Sequence, residues 1–200
     1  MAYTVNPTSS GPDGATGARR LTDLPFRAIG SQPAFETAAM ERFLADDHIA
    51  VLSYLRADGR PNQAPIWYAY RDGVIWFSAE SDSPKVRALR KDPRVCVTIQ
   101  DERPPYRAVI VEGTIELVEP GAPDAPAGEL GSDMAVHYFG KVAAQQYEKL
   151  VRDERAEHGT TLLRLVPTEL KGFDNTSMID RATLGFVRLR HRLPIPRRWL

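Results

Sequence analysis

The sequence contains very little cysteine, no net charge and no long hydrophobic run, and each absence excludes a class of protein. Cys96 is the one cysteine among 200 residues, so it cannot form an internal disulfide. We therefore expect a protein of the reducing cytoplasm, in which the Cys96 side chain has a packing role. The 26 basic residues balance the 26 acidic ones, so the overall charge does not indicate nucleic acid or a membrane surface as the main partner. No apolar stretch is long enough to span a membrane, and residues 1–20 lack the apolar core of a secretory signal.

Several catalytic motifs are also missing. The sequence has no Gly-rich phosphate loop of the P-loop or Rossmann kind, no Gly-x-Ser-x-Gly elbow, and no HExxH or paired-cysteine zinc spacing. The four histidines, His48, His137, His158 and His191, are scattered, and each is more simply explained as a surface or helix-face residue than as a ligand. We therefore expect neither a metal site nor metal-dependent hydrolysis.

Composition divides the chain into three parts. Residues 1–32 are rich in Gly, Pro, Ser, Thr and Asp without apolar periodicity, which predicts a flexible or surface-draped arm. Residues 33–175 carry the periodic patterns of one folded domain. Residues 176–200 predict a basic C-terminal tail, with six arginines and no acid from position 181 onward. The tail could contact RNA or lipid, but a solvated or subunit-wrapping tail is the simpler interpretation.

Alternating apolar residues joined by short turns predict an antiparallel sheet in the central part. The turns at Asp58-Gly59 and Asp72-Gly73 suit the positive φ angles of hairpins, and Gly113 could mark a bulge or a tight bend. The six predicted strands cover residues 48–55, 63–71, 74–78, 94–100, 106–119 and 160–173. Strands in hairpin order, interrupted by short helices, favour a mainly β fold in which six antiparallel strands close into a small barrel with helices packed on it.

Three helices are predicted between these strands. The first covers residues 33–45, the second begins at about Pro84 and ends before Asp92-Pro93, and the third covers residues 132–155. The buried stripe expected on the third helix consists of Met134, Tyr138, Val142, Tyr147, Leu150 and Val151.

The start of the second helix has the chemistry of a phosphate site. Ser83 followed by Pro84 is typical of an N-cap and a first helical position. The first turn would offer free backbone N–H groups, and Lys85 and Arg87 place positive charges beside them, which suits an anionic ligand. The alternative is an ordinary short amphipathic helix with a solvated basic face.

Trp67 is the second candidate feature. It shares one face of the predicted strand 63–71 with Gln63, Pro65 and Ala69. A tryptophan in this position is first a core or interface aromatic, and second a wall for a planar ligand.

Four short motifs come in the order of a known family: Asp58-Gly59-Arg60-Pro61, Pro65-Ile66-Trp67-Tyr68, Ser83-Pro84-Lys85 with Leu89 and Asp92-Pro93-Arg94, and Val111-Glu112-Gly113. Over residues 48–119, with weaker support as far as residue 170, the sequence resembles the flavin- and deazaflavin-binding split β-barrel family. That family contains pyridoxamine 5′-phosphate oxidase and the F420-dependent oxidoreductases. The resemblance implies a split β-barrel, a homodimer, and a cofactor at the interface between the two barrels.

The resemblance also implies a set of cofactor-binding residues. Ser83 and Lys85 match the phosphate-binding Ser-x-Lys, and Ser78 lies near the strand-end hydroxyl of the family, with one residue of difference in loop length. The strand facing the ring is matched by Gln63, Pro65, Ile66 and Trp67, and the candidate set is completed by Val86, Arg87 and Arg107.

Two departures separate this chain from the oxidase itself. Ala108 stands where the oxidase has a flavin-contacting glutamine, and the C-terminal substrate signature of the oxidase is not recognisable in residues 181–200. Pro-x-Trp-Tyr and Leu-Arg-Lys-Asp-Pro-Arg look more like the deazaflavin branch. The leading hypothesis is therefore an oxidoreductase that uses coenzyme F420, or alternatively FMN, to transfer a hydride to or from a small unsaturated or conjugated substrate. The alternatives are a non-catalytic carrier of flavin, F420 or haem on the same barrel, and a structural dimer that binds a partner through its basic tail.

Overall fold

The computed structural model describes residues 19–126, 128 and 130–192. The strands are β1 (Phe26–Ala28), β2 (Ala50–Leu55), β3 (Pro61–Ile66), β4 (Ala69–Arg71), β5 (Val74–Glu80), β6 (Arg94–Gln100), β7 (Arg107–Val118) and β8 (Thr160–Asp174). The helices are α1 (Thr37–Leu44), α2 (Pro84–Leu89), α3 (Leu130–His158) and α4 (Arg181–Arg192), with short 3-10 turns at Leu21–Asp23 and Asn175–Met178.

Seven strands form one continuous antiparallel path in the order β3-β2-β6-β7-β8-β5-β4. The strands at the two ends of this path, β3 and β4, are consecutive in the chain and are joined by Trp67 and Tyr68. The sheet therefore curls until its two edges come back to one short linker, which is the geometry of a split β-barrel. The predicted fold class is confirmed.

The predicted strand 63–71 is interrupted at this linker. Tyr138 in α3 places its hydroxyl there, where it accepts a hydrogen bond from the Tyr68 N–H at 3.3 Å and donates one to the His48 carbonyl at 2.6 Å. A side chain thus takes the place of a neighbouring strand in satisfying the backbone, which explains why the ladder stops. The described residues therefore form eight strands where six were predicted, since 63–71 divides into β3 and β4 and β1 lies in the predicted arm.

The described part of the predicted arm is packed against the barrel. Leu21 is buried and its backbone N–H donates to the Gly73 carbonyl at 2.8 Å, and β1 pairs in parallel with residues 170–172 of β8. A three-residue strand is too short to show periodicity, so the sequence pattern did not reveal it. Residues 1–18 of the arm lie outside the described residues.

The predicted tail contains structure as well. Helix α4 follows Asp180, and Leu184 is buried against the body of the protein. Residues 193–200 of the tail lie outside the described residues.

The interior of the barrel holds a cluster of apolar side chains that alternate along the strands, among them Leu52, Phe77, Val97, Val109 and Leu163. Gly113 lies at a shift of register between β7 and β8, which confirms the predicted bulge. A Cβ at this glycine would lie 2.2 Å from the Val166 carbonyl oxygen, so no other residue fits without movement of the backbone.

Helix α3 is broken at Gly140, which has φ 74° and ψ 162°. The first half covers a second apolar cluster on the outside of the barrel, built around Trp76, Met134 and Leu162. The break changes the face that the second half presents, so Val142 and Leu150, predicted as buried, are 81% and 78% exposed. None of the described helices is long and apolar enough to cross a membrane.

Candidate functional site

We call the short linker between β3 and β4, at Trp67 and Tyr68, the split of the barrel. A cavity of about 550 Å³ lies where this split, the end of β5, the start of α2 and the second half of α3 meet. This volume is within the range of small-molecule and cofactor sites. Its lining is mostly apolar and carries one lysine, one arginine and one glutamate among the described residues. The lining residues are Ile49, Pro65, Ile66, Trp67, Ser78, Ala79, Glu80, Lys85, Gly131, Met134, Tyr147, Val151, Arg155 and Thr160.

One end of the cavity is the start of α2. Ser83 caps this helix, as predicted, since its side chain accepts the Val86 N–H and donates to the Glu80 carbonyl at 2.8 Å. Ser83 is 6% exposed and the Val86 side chain is fully buried. Both residues therefore anchor the helix to the barrel, and Lys85 is the residue of this turn that lines the cavity.

Trp67 supplies a flat wall at the split of the barrel. Its ring stacks on Tyr138 with centroids 5.1 Å apart and an angle of 14° between the planes. Phe139 meets the same ring edge-on at 4.9 Å, and Tyr147 meets it at 5.3 Å. Burial raises the pKa of the Tyr138 hydroxyl, so this group remains a protonated donor to the backbone. Helix α3 thereby holds Trp67 in one orientation.

A second cavity of about 560 Å³ shares Ser78, Gly131, Arg155 and Thr160 with the first. Arg155 lines both cavities; its Nη1 donates to Glu148 Oε2 at 2.7 Å, and its guanidinium lies 6.0 Å from the centre of the Tyr147 ring. A Cβ at Gly131 would lie 3.3 Å from Arg155 Nη2, so the glycine leaves room for the guanidinium.

Half of the residues predicted to bind the cofactor line the first cavity together: Pro65, Ile66, Trp67, Ser78 and Lys85. Strands distant in the sequence meet here because β8 pairs with β5 while the sheet curls back to β3. The structure thus brings the predicted ring strand and the predicted phosphate residue to one cavity.

The other predicted residues lie outside its lining. Ser83 and Val86 act through the capping of α2, and the exposed Arg87 donates from its guanidinium to the Asp82 carbonyl. Gln63 is exposed on β3 and donates to Ser53 Oγ at 3.1 Å. These residues were predicted from their place in the motifs of the family, and a motif does not show which side chains are engaged in local contacts.

Arg107 lies in a different part of the barrel. It pairs with Asp101 at 2.6 Å and its guanidinium lies 4.8 Å from the centre of the Phe43 ring. Its contacts are those of a residue that ties the start of β7 to the preceding loop and to α1. It does not line the cavity that Lys85 and Trp67 share.

The sequence did not single out the part of the site that comes from α3. Met134, Tyr147 and Val151 were expected on a buried stripe of this helix, but nothing in the spacing indicated that they close a cavity with Trp67. Arg155 had no signal beyond its position near the helix end. Among the described residues, no cluster of His, Cys, Asp or Glu could hold a metal ion.

Comparison with known proteins gives a family and a fold. The model of the pyridoxamine 5′-phosphate oxidase family matches residues 36–173, which is more than half of the chain. None of the curated proteins compared matches this chain.

Two solved structures illustrate the likeness in fold. The conserved hypothetical protein Rv2991 from Mycobacterium tuberculosis is 24% identical, with a TM-score of 0.60 over 74% of this chain and 91% of its own. A protein named F420 reductase is 23% identical, with a TM-score of 0.51 over 65% of this chain and 94% of its own. With the fold, the split at Trp67 and the family match in agreement, the chain belongs to the pyridoxamine 5′-phosphate oxidase family.

Proposed function

We propose that this protein is an oxidoreductase that binds coenzyme F420, or alternatively FMN, in the cavity between Trp67 and Lys85. In this proposal it transfers a hydride between the cofactor ring and a small unsaturated or conjugated organic substrate. The observation that carries the proposal is a single cavity with an apolar, aromatic wall at one side and an ammonium group at another. A ring system with a phosphate on its side chain needs both. Family membership and the likeness to a protein named F420 reductase support the same choice.

The side chains of this chain would bind and orient the cofactor. Lys85 attracts the phosphate, and the buried cap at Ser83 keeps the first turn of α2 in place. Trp67 and Val151 confine the ring, and Tyr138 fixes the indole by stacking and by its hydrogen bonds to the backbone. The bound cofactor would supply the redox chemistry itself.

Three uncharged hydroxyl groups, those of Ser78, Tyr147 and Thr160, belong to residues that line the cavity. We assign any proton that the reaction needs to solvent or to one of these groups. Among the described residues no histidine or cysteine lines this cavity, and Met134 and Tyr147 are the lining residues of a type that can ligate haem iron.

The experiment is an absorbance titration of the purified protein with F420 and with FMN, followed by turnover assays with the reduced cofactor and a series of enones. Binding of either cofactor with turnover supports the proposal. Binding without turnover would indicate a carrier, and binding of neither cofactor would refute the assignment of the cavity. Light scattering on the same sample tests the homodimer that the family resemblance implies.

A further inference from the structure

Helix α4 presents apolar side chains to solvent on the side away from the protein body. Leu184, which anchors the helix, is 7% exposed, whereas Phe186 and Leu189 are 63% and 54% exposed. Residues two apart are separated by about 200° around a helix, so Phe186 lies on the face opposite Leu184. Residues 186 and 189 are three apart and share that outer face. Met178, just before the helix, is also 67% exposed.

The same segment carries a strong positive charge that the overall balance conceals. Positions 181–200 contain six arginines and neither aspartate nor glutamate, although the whole chain has 26 residues of each sign. Residues 1–180 therefore hold an excess of acid, and the basic residues are concentrated at one end. Helix α4 thus exposes Phe186 and Leu189 within a stretch whose sequence has a local excess of arginine.

We propose that the C-terminal segment, residues 178–192, binds the surface of a membrane that contains anionic lipid. In this arrangement α4 lies in the plane of the interface, with Phe186 and Leu189 inserted among the lipid headgroups. A helix with an apolar face and a basic polar face is typical of such interfacial segments. Each basic residue close to an anionic surface adds about 1 kcal/mol of attraction, and positions 181–192 contain four arginines.

Lipid suits the segment better than either of two other occupants. RNA would satisfy the arginines, but it would leave the Phe186 and Leu189 face without an apolar partner, since backbone contacts are made to phosphates. A second copy docked through the same face would bring two arginine-rich segments together, and like charges in close contact oppose association. A lipid interface offers acyl chains and negative headgroups at once.

The test is sedimentation of the full-length protein with vesicles of phosphatidylcholine, with and without phosphatidylglycerol. We expect binding to the anionic vesicles at low salt, little binding to neutral ones, and loss of binding as salt is raised. The double variant Phe186→Ser/Leu189→Ser should partition about tenfold or more weakly, because it loses two buried apolar side chains. The matched control, Val142→Ser/Leu150→Ser, removes two apolar residues of α3 that are even more exposed, and it should bind as the wild type does.

Three results would overturn the proposal. One is equal binding of the wild type to neutral and anionic vesicles, or binding to neither. Another is the retention of single-stranded RNA without any binding to lipid. The third is concentration-dependent self-association that the Phe186→Ser/Leu189→Ser variant abolishes in the absence of lipid. The wild-type comparison of the two vesicle types decides the matter even if the double variant fails to fold. None of these measurements depends on the cofactor cavity, so the proposal stands apart from the proposed function.

Discussion

Replacing Lys85 by methionine tests the assignment of the phosphate end of the cavity. Methionine keeps an apolar stem of similar length and removes only the charge, so packing against α2 is retained. A hydrogen bond to a charged group contributes about 1.5–3 kcal/mol, and the partly buried position of Lys85 leaves it moderately shielded from salt. We therefore expect FMN to bind about 10-fold to 150-fold more weakly to Lys85→Met, with F420 affected in the same direction.

The assay compares FMN with riboflavin, which lacks the phosphate, by fluorescence titration at low and high salt. Riboflavin should bind the wild type and Lys85→Met equally, since neither complex has an ion pair to lose. Lys91→Met is the matched control, because Lys91 is exposed beyond the end of α2 and does not line the cavity. Unchanged FMN affinity in Lys85→Met, or an equal loss for riboflavin, would show that Lys85 does not hold the phosphate.

Three further predictions concern the elements that build the site. Tyr138→Phe removes a hydroxyl that accepts from one buried backbone N–H and donates to one carbonyl, so the free energy of unfolding in urea should fall by about 1–3 kcal/mol; no change would mean that the split does not need this contact. Gly113→Ala should destabilise the fold by more than about 2 kcal/mol because its Cβ would meet a carbonyl oxygen at 2.2 Å. The control Gly185→Ala, whose Cβ would lie in open space, should be neutral or stabilising. Similar effects of the two substitutions would contradict the close approach of β8 to Gly113 at the bulge. The ion pair between Asp82 and His158, 2.9 Å apart, raises the pKa of His158 above 6.5 and lowers the pKa of Asp82 below 3.8. The contribution of this ion pair to stability is therefore complete only between about pH 4 and 6.5. It is lost at higher pH as His158 deprotonates, and at lower pH as Asp82 is protonated. If the difference in stability between the wild type and His158→Ala persisted unchanged at pH 9, this prediction would be refuted.

Much of the barrel could be predicted from local patterns. The Asp-Gly turns, the alternation in β6 and β7, the bulge at Gly113 and the capping of α2 by Ser83 all follow from backbone preferences of a few adjacent residues. These are short-range features, and their physical cause is visible in the sequence itself.

Other features depend on contacts that local sequence does not encode. The strand break at Tyr68 is caused by Tyr138, 70 positions further along the chain. The exposure of Val142 and Leu150 follows from the break at Gly140. The spacing of apolar residues predicts a continuous helix there, because it does not reveal that this glycine adopts a positive φ. The same applies to β1, which owes its existence to the free edge of β8.

The candidate site was predictable in part for the same reason. Lys85 and Trp67 belong to short motifs with a recognisable chemistry, and the structure brings both to one cavity. Arg107 was included on its place in a strand motif, but Asp101 and the Phe43 ring engage its guanidinium elsewhere. Arg155 and Tyr147 reach the cavity only because α3 folds across the split, which is a matter of tertiary packing.

The most direct test of the central claim is to fill the cavity and titrate with cofactor. Val151 lines the cavity from α3, whereas Val142 lies on the same half of the helix and is 81% exposed. In absorbance titrations with F420 and FMN, the wild type and Val142→Trp should bind alike, and Val151→Trp should bind at least about tenfold more weakly because the indole occupies the space of the ring. Equal affinity of Val151→Trp and the wild type would contradict the claim that this cavity is the cofactor site.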